Sequence, residues 1–153
     1  MGLFKKKEEV IFNPVTGQVV PIEEVHDELF SSKALGDGFG ILPTQSDIYS
    51  PVEGNVVSIF PTKHAISIVT KNGIELLVHM GIDTVELNGQ GFDILVEENQ
   101  KITQNTLLAK MDLEYVKNNQ KQTDIMIIFT NLDNKPLTIR YGEMQHGVTI
   151  GSI

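Results

Sequence analysis

An all-β fold with at most short connecting helices is predicted for this 153-residue chain by three observations. Short runs rich in Val and Ile recur along it, clusters of Gly, Pro, Asn and Asp punctuate them at the spacing of a sandwich or barrel, and an Asn-Gly step sits between two of the runs. In order, the runs are NVVSIF (55–60), AISIVT (65–70), IELLVHM (74–80), TLLAKM (106–111) and DIMIIF (124–129). DLEYVKNNQKQ (112–122) is the one stretch with helical promise, since Leu113 and Val116 stand three apart behind Asp112 as a potential cap. GDGFG (36–40) resembles a phosphate loop only superficially, because ILP and not a helix follows, and it is read as turn chemistry. Residues 1–9 combine Lys5-Lys6-Lys7 with Glu8-Glu9 and show no periodic pattern, so a flexible tail is expected, with at most weak membrane contact. No linker divides residues 10–153, which are expected to form a single domain.

Composition excludes several classes. Lys and Arg number 12 against 20 Asp and Glu, a formal charge of −8, whereas nucleic-acid binders carry a basic footprint. No apolar run approaches the roughly 18 residues of a membrane helix, the apolar block near Met1 is too short for a signal peptide, and a cytoplasmic monomer is expected. Gly2 does not read as a myristoylation site, because Lys6 stands where Ser or Thr is wanted. The absence of cysteine rules out disulfides, zinc ribbons and a thiol nucleophile carried on this chain.

The residue that stands out is His79, alone in the apolar run LLVHMGI (76–82). Lys71-Asn72-Gly73 separates its run from AISIVT, a strong hairpin signal. A two-residue loop would set Val69 opposite Leu76, Ile66 opposite His79 and His64 opposite Gly81, with both histidines, Ile66 and Leu77 on one face. A four-residue loop would also pair the histidines, whereas a three-residue loop would send them to opposite faces. Leu76, Val78 and Met80 then supply the core, and the favoured placement of the histidine face is toward solvent, as an apolar rim. Gly81 is expected to leave one ring uncovered.

Neutral imidazole is a nucleophile near neutral pH, which suits phosphoryl transfer; an apolar rim, a second histidine and the Thr62 hydroxyl could provide positioning and shelter from water. Zinc is the competing chemistry, but two ligands are one short of an open catalytic site, so a metal on His64 and His79 would be shared with another molecule. His26, in EEVHDE, and His146, in a Gly-flanked turn, are read as surface residues.

At this point a resemblance enters. PTKHAISIVTKNGIELLVHMGIDTVELNGQGFDILVEENQKI, with SPVEGNVVSIF before it and PIEEVHDELFSSKALGDGFGILP upstream, closely resembles the glucose-family enzyme IIA of the bacterial phosphoenolpyruvate-dependent sugar phosphotransferase system, over most of residues 10–153. Its specific core is TKHA followed by LLVHMGIDTVEL, with 15 residues from His64 to His79. The resemblance implies an antiparallel β-sandwich of the barrel-sandwich hybrid type. It implies that His79 accepts a phosphoryl group, on the ring nitrogen remote from the backbone, from the histidine-containing phosphocarrier protein and passes it to a cysteine of a sugar-specific enzyme IIB. His64 would hydrogen-bond the phosphoryl group, and Thr62 would orient the pair. Phe30, Leu35, Phe60, Leu77 and Val85 would line a shallow depression edged by Asp27, Asp83 and Glu86, although Phe60 and Val85 also suit the core and the acids a solvated surface. No cofactor is expected beyond the covalent phosphoryl group.

The resemblance also gives the missing cysteine a meaning, since the receiving thiol and the membrane channel would belong to partners. Some positions depart from the family pattern: Gly40 stands where alanine is usual, and Asn99-Gln100 and Gln104-Asn105 replace glycine-containing turns, which Asn can preserve by adopting left-handed geometry. Two rival readings exist. SPVEGNV and VEENQKITQNTLLAKMD also look like half-motifs of biotinyl or lipoyl carriers, with Lys110 as the nearest imitation of an attachment lysine. The other is a regulatory module whose docking is gated by phosphorylation.

Overall fold

The computed structural model describes residues 8–153. Its strands are β1 (Val10–Phe12), β2 (Gly17–Pro21), β3 (Asp37–Pro43), β4 (Asp47–Tyr49), β5 (Gly54–Ile59), β6 (Ala65–Thr70), β7 (Glu75–Ile82), β8 (Phe92–Ile94), β9 (Lys101–Ile102), β10 (Leu107–Met111), β11 (Gln122–Phe129), β12 (Thr138–Ile139), β13 (Gly142–Met144) and β14 (Thr149–Ser152). Two short helices join them, α1 (Glu28–Ser31) and α2 (Leu113–Asn118). The fold is therefore the expected antiparallel β-sandwich. One sheet runs β13-β2-β3-β11-β7-β6-β5-β9, and two three-stranded sheets, β1-β14-β12 and β4-β10-β8, complete the structure.

Side-chain alternation along the strands sorts the core. Ile66 and Ile68 of β6, Leu76, Val78 and Met80 of β7, and Ile125, Ile127 and Phe129 of β11 join the main cluster with Ile11, Ile48, Leu108 and Ile150 from the small sheets. Each such side chain withdrawn from water contributes about 1.5–3 kcal/mol. The alternate residues Met126 and Ile128 belong to a second, smaller cluster with Val20, Ile22, Val25, Phe30 and Ile82, against which Leu42 and Leu77 pack. That cluster exists because the chain leaving β2 folds back across the large sheet. Both faces of β11 are thus covered, which is why DIMIIF reads as one apolar run.

Two glycines of β3 are dictated by close approach. A Cβ on Gly38 would collide with the backbone carbonyl of Ile127, and one on Gly40 would collide with Cγ1 of Val25 and stand 3.2 Å from Cγ2 of Val20. The family departure at Gly40 therefore has a local reason: it lets the segment carrying Val25 settle on the sheet. GDGFG is correspondingly a strand from Asp37 onward and not the turn expected from its glycines.

Other expectations change in detail. α2 is shorter than 112–122, although Asp112 does cap it, accepting a hydrogen bond from the Tyr115 N–H at 3.0 Å. Residues 1–7 of the expected tail lie outside the described residues, but Glu9 is no tail: its backbone exchanges hydrogen bonds with Ile153 and its carboxylate accepts one from the Thr70 hydroxyl at 2.6 Å. Asn99 takes the left-handed conformation anticipated for its turn, φ 68°. Asn105 does not; its turn is closed by Thr106 N–H to the Thr103 carbonyl, at 2.9 Å, and by the hydroxyls of Thr103 and Thr106.

Gly40→Ala is expected to destabilise the protein by about 1–3 kcal/mol, because a β-branched neighbour has little freedom to yield. In a denaturant-melt double-mutant cycle with Val25→Ala, the pair should cost less than the sum of the single changes; strict additivity would contradict the contact.

Candidate functional site

One row of paired residues crosses the large sheet and places His79 near its middle. Val20 pairs with Gly40, Gly40 with Met126, Met126 with His79, and His79 with Ala65. Since directly opposed residues share a face, His79 projects to the side of the smaller cluster.

The hairpin that brings His64 to it differs from the expectation. Thr70 and Ile74 close a three-residue loop, with Thr70 N–H bonded to the Ile74 carbonyl at 2.9 Å and Ile74 N–H donating to the Thr70 hydroxyl at 3.1 Å. Only Gly73 there has positive φ, at 88°, whereas a two-residue turn of the Asn-Gly type needs positive φ at both positions. Ala65, not Ile66, therefore opposes His79, and Ile66 points into the main core. Strict alternation would then separate the histidines. They meet because His64 precedes β6, in a turn where Lys63 adopts φ 61° and donates its N–H to the Phe60 carbonyl at 2.8 Å. The His64 carbonyl remains tied to the hairpin, accepting from Met80 N–H at 2.8 Å. Gly81, also expected opposite His64, leaves no ring bare: at φ 81° it sits beneath the side chain of Thr84.

The imidazole rings of His64 and His79 lie 5.0 Å apart, centroid to centroid, and nearly perpendicular at 80°. Thr62 Oγ1 and His64 Nδ1 are hydrogen-bonded at 2.6 Å, which fixes the rotation of that ring and turns its other nitrogen away from Thr62. Phe60 packs edge-on to His64, centroids 5.5 Å apart, and Phe30 lies 4.7 Å from the ring of His79. His64 shows the less surface to water, 5%, yet His79 is set deeper in packed protein and is the more perturbed. Burial, helped by the neighbouring His64, pushes its pKa down from 6.5 to about 4, against weaker opposing pulls from the Gly81 backbone and the Asp27 charge; burial lowers His64 as well. His79 Nδ1 is itself buried and makes no hydrogen bond of good geometry among the described residues, the nearby Gly81 backbone acting on the ring only weakly, so the exposure His79 retains lies elsewhere on the residue.

The expected lining residues divide by exposure. Phe30 is buried against His79, Leu77 is half-buried on the same strand face, and Leu35, Phe60 and Val85 are exposed, which removes the core alternative for Phe60 and Val85. Among the expected edge acids, Asp27 is near enough for His79 to feel its charge and caps α1 by accepting from Leu29 N–H at 2.8 Å. Asp83 and Glu86 are exposed in the turn after β7, and Glu86 pairs with Lys121 at 2.8 Å. The face is thus neither a bare rim nor a sealed core: Phe30, from the segment between β2 and β3, covers one side of His79, while His64, itself edged by Phe60, lies on another. Among the described residues no three His, Asp or Glu side chains gather as a metal site. Lys110 stands inside β10, paired with Asp47 and Asp93 on its two neighbours, and not at a hairpin tip.

His26 is exposed, as expected, but sequence reasoning missed its partner: its Nδ1 lies 2.8 Å from the buried carboxylate of Asp124. The available signal was Asp124 itself, a lone charge opening an otherwise apolar strand. His146 is exposed and stacks on Tyr49, 4.0 Å between centroids, outside the histidine cluster.

Comparison with known proteins bears on the family and the fold. The profile of a family described as phosphoenolpyruvate-dependent sugar phosphotransferase system, EIIA 1, matches residues 9–135. A glucose-specific EIIA component of that system from Staphylococcus epidermidis is 48% identical over 136 residues, covering 86% of this chain and 82% of the relative. A glucose-specific EIICBA component from Staphylococcus carnosus is 45% identical over 139 residues, 90% of this chain but 21% of that protein. Among solved structures, glucose permease IIA from Mycoplasma capricolum superposes with a TM-score of 0.92 at 38% identity, over 98% of both chains.

An NMR titration of the histidine ring protons is expected to give His79 the lower midpoint of the pair, near 4, and to place His64 below 6.5. Both folded and unfolded states are neutral above 6.5; as pH falls from there toward about 4 the unfolded chain binds a proton that folded His79 refuses, so this group lowers stability in that window. A His79 midpoint at or above 6.5 would contradict its burial.

Proposed function

The chain belongs to the EIIA 1 family of the phosphoenolpyruvate-dependent sugar phosphotransferase system, and from that premise we propose that it is a phosphocarrier of sugar uptake with His79 as the acceptor. The observation that carries this reading is the perpendicular pair of imidazoles, one buried enough to stay neutral and the other steadied by Thr62.

The chemistry is a pair of in-line displacements. The lone pair of neutral His79 Nε2 attacks the phosphorus held on the donor's phosphohistidine; the new N–P bond forms as the donor's N–P bond breaks, and that electron pair stays on the donor imidazole. A thiolate of enzyme IIB then attacks the same phosphorus, forming S–P and returning the electron pair to His79. With its Nδ1 turned into the protein, His79 offers only the nitrogen remote from the backbone. Thr62 donating to Nδ1 of His64 leaves the Nε2 hydrogen of that ring for a phosphoryl oxygen. Phe30, Phe60 and Leu77 keep water off the phosphohistidine and give both partners one apolar landing surface, with Leu35 and Val85 at its margin and Asp27, Asp83 and Glu86 as the acidic groups that meet a basic partner. A zinc on the two rings would need further ligands from a docked partner.

Incubation with phosphoenolpyruvate, enzyme I and the histidine-containing phosphocarrier is expected to place one acid-labile phosphate on the chain. His79→Ala should abolish labelling, whereas His64→Gln should permit it and block transfer to enzyme IIB. Normal labelling of the His79 replacement would overturn the assignment. Leu77→Asp should slow both transfers, by about tenfold for a charge buried on docking, with rates that fall further as salt rises; unchanged rates would mean that the two partners do not share this face.

A further inference from the structure

We propose that His26 and Asp124 form a clasp that fixes the segment between β2 and β3 over His79, making them positioning residues for phosphoryl transfer. The inference rests on His79 being the acceptor.

Asp124 is 4% exposed, and both hydrogen bonds described for its carboxylate come from His26: the backbone N–H at 3.2 Å and ring Nδ1 at 2.8 Å, each to Oδ2. A carboxylate is withdrawn from water only where partners replace its hydration, and here a residue 98 positions away does so. Asp124 stands two residues before Met126, the cross-strand partner of His79, beside a register shift in the β11–β7 pairing between Gln122 and Ile125. Such irregularities re-aim a side chain.

From the clasp the chain runs directly to the acceptor. Asp27, next to His26, caps α1, and Ser31 N–H returns to the Asp27 carbonyl at 2.9 Å, so residues 27–31 form one tight turn. Phe30, four residues beyond the clasp, ends 4.7 Å from the His79 ring. Ile22, Val25 and Phe30 also hold the segment to the sheet, but apolar burial is non-directional and tolerates sliding. Two directional bonds at one carboxylate oxygen select a single position along the sheet.

The test is NMR of the His79 ring protons in full-length Asp124→Ala and His26→Ala. Asp124→Ala removes the buried charge together with its bonds and is the cleaner variant; His26→Ala takes away a side chain that is 54% exposed but leaves the Asp124 carboxylate with the backbone N–H alone, so its fold is checked by the same spectra. Loosening the segment should reduce the burial of His79, moving its midpoint upward from about 4 toward 6.5 and weakening the ring-current shift from Phe30. kcat for phosphoryl acceptance should fall about tenfold with KM changed less, as misplacement of a reacting group predicts. His26→Asn, whose amide can donate to the same oxygen, should restore much of both, and Ile102→Val, a core change in β9, should move neither. Folded Asp124→Ala and His26→Ala proteins with wild-type His79 titration and ring-current shift would overturn the clasp. A wild-type chain that takes no phosphate on His79 would instead overturn the reading of function, while the NMR comparison would still decide whether the clasp exists.

Discussion

Withdrawal of one imidazole from water is the constraint on which the surroundings of His79 depend. A histidine on an open sheet would be partly protonated near neutral pH and would lend its lone pair to solvent. Depth in the protein holds this one neutral, and that depth comes from the row Val20–Gly40–Met126–His79–Ala65 together with the segment that lies over it. The covering segment can lie so close only because Gly40 has no side chain. An absent methyl group on one strand therefore bears on the acidity of a ring two strands away.

The same geometry explains why the histidine pair lies at the edge of a layer. The large sheet has one face given wholly to the main core and a second face covered in part, where the smaller cluster stops at Leu77. Beyond that edge Phe60 and Val57 are exposed, on the hairpin that also carries the turn of His64. The histidine pair sits where a packed layer gives way to exposed apolar side chains, with His79 buried deeply enough to keep charge off its ring.

Much of this was legible in the sequence, though unevenly. The five β-branched runs each became strands, since such runs suit a half-buried pleat whatever their neighbours. β3 was hidden, because its glycines answer to carbonyls and side chains contributed by distant strands and locally look like a turn. The histidines were found on one face, but by a route other than the expected register: the Thr70 hydroxyl favours a three-residue loop, and left-handed Lys63 cancels the resulting change of face. Two local deviations compensate each other, and neither is visible in hydrophobic pattern. His26 and Asp124 were missed for the related reason that their partnership spans most of the chain.

Glu9 and Ile153 hold each other through paired backbone hydrogen bonds where β1 meets β14. Both ends of the fold consequently emerge from one doorway, and a tether attached at either would hang the body from the same anchor. A unit of this kind can be swung on a leash in front of neighbouring domains, or cut loose, without altering which surface it presents. The relatives differ in extent: this chain matches 82% of the one from Staphylococcus epidermidis and about a fifth of the one from Staphylococcus carnosus.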